Sequence, residues 1–301
     1  MHNIKRNYDK FLETIKPFTD NIFNCYGNLN RPGPKPKMAD IQIIALTLTS
    51  EYLSIDSESL LFKKIASCHK NDFPNLIERS QFNKRKKALF AIMEQIRQQV
   101  ANKFTICEDY FIIDSMPVEV ARISREKQSK VCKEFFETAP DKGYSPSQKM
   151  YFYGYKLHGI CSVNGVFQSI DLTKASVHDH QILPDLKSQL VDCVLLGDKG
   201  YIGKEIQLDL FNQARIQLKT PLRGNQKDYK PYPRVYRKTR KRLETLFSQL
   251  TDQFMMKRNY AKSFRGLKTR VLSKITATTV IQFMNHFLLG RNINALKHPI
   301  F

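Results

Sequence analysis

An alternating stretch in the middle of the chain, YFYGYKLHGICSV (residues 151–163), constrains the fold more than any other feature. Its apolar residues recur at every second position, which is the period of a β-strand with one buried face. Asn164-Gly165 follows and is typical of a two-residue type I′ hairpin turn. VFQSIDLTKAS (residues 166–176) then provides a return strand. The sequence therefore predicts an antiparallel hairpin around which the other elements must be arranged.

Shorter elements on both sides of this hairpin alternate between strand and helix patterns. The apolar run DYFIID predicts a buried strand that ends at Asp114, and DCVLLGD predicts another that ends at Asp198. Helices are predicted in residues 178–190, in residues 203–214 and from Arg237 onward, with a fifth strand at residues 215–221. This order predicts an α/β domain with a mixed five-stranded sheet and flanking helices.

The first hundred or so residues have the apolar spacing of helices instead. RPGPKPK (residues 31–37) interrupts them with an extended, proline-rich segment that is either a linker or a basic arm. A helix from Ser80 onward begins with the run Lys84, Arg85, Lys86 and Lys87. Several short helices that end in one with a basic start favour a helix-turn-helix-like DNA-binding domain, although a solvated face of a helical bundle would look similar. We therefore predict an all-α domain at residues 1–108 and the α/β domain at residues 109–301.

Charge is distributed unevenly along the chain. The formal net charge is +21, and residues 212–301 carry twenty Lys or Arg but only three Asp or Glu, whereas residues 109–211 are slightly acidic. This asymmetry favours a polyanionic partner such as nucleic acid, and it leaves a merely basic soluble protein or a ribosomal RNA binder open. Neither a signal peptide nor an apolar run of about 18 residues is found, so we expect a cytoplasmic protein that spans no membrane.

One carboxylate, Glu244, stands out in the basic third because it lies inside RKTRKRLETLF. At 100° per residue it falls on the border of the helix's apolar stripe, on the same flank as Arg237 and Arg240. A helix packed on a sheet would hold such a residue in a fixed place. A surface ion pair with Arg240 is the simpler alternative.

Asp114, Asp198 and Glu244 are more informative together than singly. An ionised carboxylate at the end of a buried strand is costly unless something pairs with it. Two strand-end aspartates and one helix-border glutamate can converge on a pair of Mg²⁺ ions, which prefer oxygen ligands. Two such ions can activate water or a 3′-hydroxyl for phosphoryl transfer. The sequence therefore predicts a metal-dependent site that acts on nucleic acid.

The strand order with Asp, Asp and Glu at these places resembles the ribonuclease H-like fold of DDE transposases. The stretches IIDSMPV, GYKLHGI, ASVHD, LLGDKGYIG, TPLRGNQK and RKRLETLFSQL resemble those of the insertion-sequence-982 family. This resemblance implies an enzyme that nicks at element ends and joins the freed 3′-hydroxyl to target DNA with Mg²⁺ or Mn²⁺. It implies that Asp114, Asp198 and Glu244 are both the catalytic and the metal-binding triad. In related groups a tyrosine and a lysine occupy the places of Arg237 and Thr251, so those two roles are not transferred.

The same resemblance implies partners: double-stranded DNA at the terminal inverted repeats and at the target, bound by a homodimer. The candidate DNA-binding residues are Lys84, Arg85, Lys86, Lys87, Arg223, Arg237, Arg240 and Lys241. Two other functions remain open, a non-catalytic DNA-binding regulator derived from a transposase and a nuclease that cuts without joining. Asp171, on the predicted return strand, is the main alternative for a metal-binding position, whereas His158 and the His178–His180 pair carry no assigned role. The histidine pair resembles that of tyrosine nickases, but Asp179 stands where those have an apolar residue.

Overall fold

The computed structural model of the chain describes residues 3–104, 109–146, 148–222 and 231–300. The α-helices are α1 (Ile4–Ile15), α2 (Asp40–Tyr52), α3 (Glu58–Cys68), α4 (Arg79–Ala88), α5 (Phe90–Ala101), α6 (Lys204–Ala214), α7 (Arg234–Asp252) and α8 (Phe264–Phe283). The strands are β1 (Tyr110–Ala121), β2 (Asp141–Ser145), β3 (Met150–Ser162), β4 (Phe167–Lys174), β5 (Val194–Leu196) and β6 (Gln217–Lys219). In the described part of the chain, none of the helices has both the length and the apolar character needed to cross a membrane.

The chain forms two compact units. One comprises Met1–Lys103 together with Gln249–Phe301, and the other comprises Phe104–Ser248. The first is helical and the second contains the sheet. This division differs from the predicted one in two respects: the first segment ends at Lys103 and not at residue 108, and the C-terminal segment belongs to the helical unit. The DNA-binding and catalytic assignments of the two predicted domains stay predictions.

The helical unit is built around α8, which packs against α2 and α5. Almost every residue of α8 is buried, including several threonines and a serine that an apolar core would ordinarily exclude. Four of these five hydroxyls, all except that of Thr276, donate to the carbonyl oxygen four residues earlier, as Thr269 does to Arg265 at 2.7 Å and Thr278 does to Lys274 at 2.9 Å. Because these local bonds satisfy all but one of the hydroxyls, the helix can be polar in sequence and still lie at the centre of its unit.

The other unit is a mixed six-stranded sheet. Its order is β2-β3-β1-β5-β6, and β4 also pairs with β3. The pairs β1–β3, β2–β3 and β3–β4 are antiparallel, whereas β1–β5 and β5–β6 are parallel. The path β4-β3-β1-β5-β6 is the predicted five-stranded sheet, so the ribonuclease H-like fold is confirmed. β2 is an additional short strand that pairs with the first residues of β3.

Three local predictions need correction. β1 does not end at Asp114 but continues to Ala121, because β3 remains its partner along that whole length. The hairpin turn after β3 has positive φ only at Gly165 (88°), so it is a turn with glycine at its last position and not type I′, which needs positive φ at both central residues. The helix predicted in residues 178–190 is a 3₁₀ segment, Asp179–Ser188, because Pro184 lies inside it and cannot donate an N–H.

Different elements cover the two faces of the sheet. Ile113 and Leu195 belong to a buried cluster on one face, which the 3₁₀ segment and α6 cover with Ile182, Leu186 and Leu210. The opposite face carries α7, as shown by Gly159, where a Cβ would lie 3.4 Å from the ring of Phe247. Because adjacent residues of a strand point to opposite faces, this second face is the one on which Asp114 lies.

Candidate active site

Asp114 and Asp198 lie side by side on neighbouring strands. β1 and β5 are parallel and pair through Ile112 and Leu196, and each aspartate comes two residues after that pair. Neighbouring strands are about 4.8 Å apart, and residues two apart point to the same face. Two positions 84 residues apart in sequence are therefore brought together by the register of a single strand pair.

The carboxylate of each aspartate accepts a hydrogen bond from a backbone N–H one or two residues further along the chain. The Asp198 carboxylate accepts a hydrogen bond of 2.7 Å from the N–H of Gly200 and thereby caps a short 3₁₀ turn, Lys199–Tyr201. Asp114 accepts one of 2.8 Å from the N–H of Ser115. Since both bonds involve immediate neighbours, they fix the directions of the carboxylates without neutralising them.

Helix α7 brings Arg240 and Glu244 to the same place. The guanidinium of Arg240 lies 3.8 Å from the carboxylate of Asp114, and its Nε is buried without a hydrogen-bond partner. Glu244 lies one turn further along α7 and is exposed. Its negative charge contributes to raising the pKa of Asp114, as the charge of Asp198 also does. The other two carboxylates that the sequence singles out, Asp198 and Glu244, are therefore close enough to Asp114 for their charges to affect it.

The negative charges of Asp114 and Asp198 are only partly balanced by nearby positive charges and hydrogen bonds. Burial is the main cause that raises the pKa of Asp114 to about 7, and the repulsion from Asp198 and Glu244 adds to it, whereas Ser115 and Arg240 act in the opposite direction. Burial also raises the pKa of Asp198. A pair of desolvated, mutually repelling carboxylates is a frequent property of functional sites.

This donor set suits a hard divalent cation. Its oxygens are the ligands that Mg²⁺ prefers, and a cation would offset the burial of both carboxylates and the repulsion between them. Among the residues that the structure describes, however, no three His, Cys, Asp or Glu side chains converge closely enough to hold an ion alone. Water or phosphate oxygens would have to supply the remaining ligands, as is usual for Mg²⁺.

The residues whose roles the sequence leaves open have different surroundings. His158 is buried, and its ring nitrogens face the hydroxyls of Thr173 at 2.8 Å and Tyr201 at 3.5 Å. Burial lowers the pKa of His158 to about 4, so the ring is neutral at pH 7. Asp171 pairs with His158 across β3 and β4 but is exposed. The rings of His178 and His180 contact each other, with centroids 5.6 Å apart.

Sequence reasoning did not identify two residues next to the site, Lys156 and Asp179. Lys156 lies on β3, and its ammonium forms an ion pair of 3.0 Å with Asp179. Asp179 was considered only as an argument against the nickase resemblance. The available signal was the alternation of β3, which places Lys156 on the same face as His158.

The candidate DNA-binding residues have different surroundings. Arg237 and Lys241 are exposed on α7, and Lys84 is exposed on α4. Lys87 is half-buried.

Two others on α4 are engaged within the helical unit. Arg85 donates to Asp40 and to the carbonyl of Met38, both at 2.7 Å. Lys86 is buried and paired with Glu58. Arg223 lies outside the described residues.

Comparison with known proteins identifies the family to which this chain belongs. Residues 106–280 match the family described as "Transposase DDE domain". Since the match covers more than half of the chain, this protein belongs to that family and is a DDE-type transposase. No curated protein matches it. A solved structure described as "Crystal structure of a pre-cleavage Mos1 transpososome" is similar at 9% identity, with 94% of this chain and 98% of that chain covered and a TM-score of 0.21.

Proposed function

We propose that this protein is an insertion-sequence transposase, of the insertion-sequence-982 group, that cleaves DNA at terminal inverted repeats and joins the freed ends to target DNA. The observation that supports this most directly is the register of β1 and β5, which places Asp114 beside Asp198 in a partly desolvated position under α7. A site of this kind has no evident structural purpose, since the repulsion between its carboxylates opposes folding.

Asp114, Asp198 and Glu244 would hold Mg²⁺ or Mn²⁺. The bound ions would supply activation of the attacking oxygen and stabilisation of the leaving oxygen in an in-line displacement. The Ser115 and Gly200 N–H groups keep the two aspartates directed while DNA enters. Arg240 forms only a 3.8 Å ion pair with Asp114, so its guanidinium keeps N–H groups that would donate to a phosphate.

The exposed cations on the flank of α7 are suited to hold the DNA backbone. Arg237 and Lys241 lie one turn apart on that helix, on either side of Arg240 in sequence. Because Lys and Arg that neutralise phosphates release counterions, we expect DNA affinity to fall steeply with salt. Two element ends must meet for joining, so we propose a homodimer on DNA, which the mass of the protein–DNA complex in light scattering would test.

The test is a cleavage assay on supercoiled DNA that carries the flanking repeats, with Mg²⁺, Mn²⁺ or EDTA. We expect nicking with either metal and none with EDTA. Glu244→Gln keeps the size of the side chain and removes its charge, so it should reduce nicking by about 100-fold or more while gel-shift affinity is kept. Glu205→Gln, in an exposed glutamate of α6, is the matched control and should nick like the wild type.

The outcomes separate the three candidate functions. If wild type and Glu244→Gln both bind DNA and neither shows metal-dependent nicking, the result would support a non-catalytic regulator. Metal-dependent cleavage without strand transfer into a second labelled DNA would support a nuclease. Cleavage with strand transfer, lost in Glu244→Gln and kept in Glu205→Gln, is the result expected of a transposase.

A further inference from the structure

A largely buried ion pair connects β3 to the segment that follows β4. The ammonium of Lys156 donates to the carbonyl oxygen of Val177 at 2.8 Å and to the Asp179 carboxylate at 3.0 Å. The side chains of Lys156 and Asp179 are 15% and 21% exposed. Since one ammonium holds both a backbone and a side-chain oxygen, it fixes where the chain leaves β4 and which way Asp179 points.

Asp179 points toward the turn that carries Asp198. Gly200 lies between the two carboxylates: a Cβ at Gly200 would be 3.0 Å from an oxygen of Asp198 and 3.2 Å from an oxygen of Asp179. Because Asp179 is negative and its partner Lys156 is positive, the two residues act on the Asp198 carboxylate with opposite signs.

The same turn is held from below by uncharged groups. Tyr201, its last residue, is fully buried, and its hydroxyl faces His158 and hydrogen-bonds with Ser115. The turn therefore has a fixed base, and the ion pair beside it is the part that can act on the Asp198 carboxylate through charge.

We propose that Lys156 and Asp179 are positioning residues of the active site, which act through Asp198 by setting the local charge that a divalent cation meets there. This inference rests on the proposed function, because it requires Asp198 to be a metal ligand. It gives a role to the ASVHD stretch, for which the site described so far has no use.

Opposite changes in metal affinity follow from opposite charges. Asp179→Asn removes a negative charge from beside Asp198, so the protein should bind a divalent cation less tightly. Lys156→Met leaves the charge of Asp179 uncompensated, so the metal-free protein should bind the cation more tightly. At a separation of a few ångströms partly filled with water, each effect amounts to about tenfold in affinity. A pair that served only the stability of the fold would weaken binding in both variants.

The experiment is calorimetric titration of the full-length protein with Mn²⁺ in the absence of DNA. The variants are Asp179→Asn, Lys156→Met, Asp179→Glu and Lys156→Arg, each checked for its wild-type circular dichroism spectrum. We expect about tenfold weaker binding for Asp179→Asn, about tenfold tighter binding for Lys156→Met, and near-wild-type binding for the two conservative variants. These two variants keep each charge and change only the length or shape of the side chain, so they keep the test decisive if a neutral variant fails to fold: a tenfold loss of Mn²⁺ affinity in either would show that geometry and not charge sets the affinity, and would overturn the inference.

The matched control is Lys187 with Asp209, another ion pair of this unit with an N–O distance of 2.7 Å. Neutralising either partner there should leave Mn²⁺ affinity unchanged. The inference is overturned if Asp179→Asn and Lys156→Met shift affinity in the same direction, or by no more than the control variants. Asp198→Asn separates the two hypotheses: if it removes Mn²⁺ binding while the pair variants have no effect, only this inference fails. If the wild type binds no Mn²⁺, the proposed metal site fails with it.

Discussion

The helical unit and the sheet unit treat buried charge in opposite ways. In the helical unit, Asp40 is fully buried. Its carboxylate accepts hydrogen bonds from the side chains of Arg31 and Arg85 and from the N–H of Leu29. Lys274 is equally enclosed and donates to Glu51 at 2.5 Å and to the carbonyl of Phe254 at 2.6 Å. Each of these buried charges has a close partner of opposite sign.

The sheet unit leaves its central carboxylates without such partners. Among the described residues, the cation that pairs with Asp114 is Arg240, at 3.8 Å, and the neighbours of Asp114 include Asp198, which has the same sign. A close partner of opposite sign offsets much of the cost of burying a charge, whereas a buried charge without one is costly and needs another explanation. The contrast supports a structural role for the helical unit's pairs and a functional role for the aspartates of the sheet.

The largest expected effect is the loss of a cation from the helical unit. Lys274→Met leaves Glu51 buried, charged and unpaired, and we expect it to lower the free energy of unfolding by about 3–5 kcal/mol. Chemical denaturation followed by circular dichroism measures this. Glu51→Gln combined with Lys274→Met is the matched control and should be more stable than Lys274→Met alone, because it removes the unpaired charge. A double variant that is less stable than the single one would mean that packing, and not pairing, decides stability here.

The second prediction has the opposite sign and concerns the sheet unit. Asp114→Asn removes a poorly compensated carboxylate, so the metal-free protein should become more stable at pH 8, by roughly 2–4 kcal/mol. The pKa of Asp114 is raised to about 7, against about 4 in an unfolded chain, so the folded state binds more protons between these values. Wild-type stability therefore falls as the pH rises from about 4 to 7, and the advantage of the variant grows over the same range.

Denaturation in EDTA at several pH values tests this prediction. Asp185→Asn, at an exposed aspartate of the same unit, should show no such pH-dependent advantage. Equal stability differences between Asp114→Asn and wild type at pH 4 and pH 8 would contradict the raised pKa. Loss of stability at pH 8 would show that the carboxylate has a partner of structural importance.

Much of the sheet and the acidic site could be predicted because their signals are local. The alternation of β3 and the apolar runs before Asp114 and Asp198 identify the strands, and helix geometry alone places Glu244 at the border of α7. The strand β2 was missed because its sequence, DKGYS, has little β-propensity and forms a strand only through its pairing with β3.

Charge partners distant in sequence could not be predicted. The run Lys84–Lys87 is basic in sequence and suggests a surface that binds DNA. In the structure, however, Lys86 pairs with Glu58, 28 residues earlier, and Arg85 pairs with Asp40, 45 residues earlier. Lys156 and Asp179 were overlooked for the same reason, since neither residue is unusual until the fold brings the two together. Periodicity identifies elements, but it does not identify which charges meet across them.

The smallest expected effect tests whether burial is what makes pairing important. Lys5 and Asp9 form an i, i+4 pair on α1 with an N–O distance of 2.5 Å, and both side chains are more than a third exposed. Lys5→Ala should change the free energy of unfolding by no more than about 0.5 kcal/mol, because water screens the pair and a lysine near a helix N-terminus opposes the helix dipole. Denaturation at low and high salt measures this, with Glu13→Ala, an exposed residue of the same helix, as the control. A loss near the 3–5 kcal/mol expected for Lys274→Met would show that pairing matters regardless of burial, and the contrast between the two units would then no longer distinguish structural from functional charges.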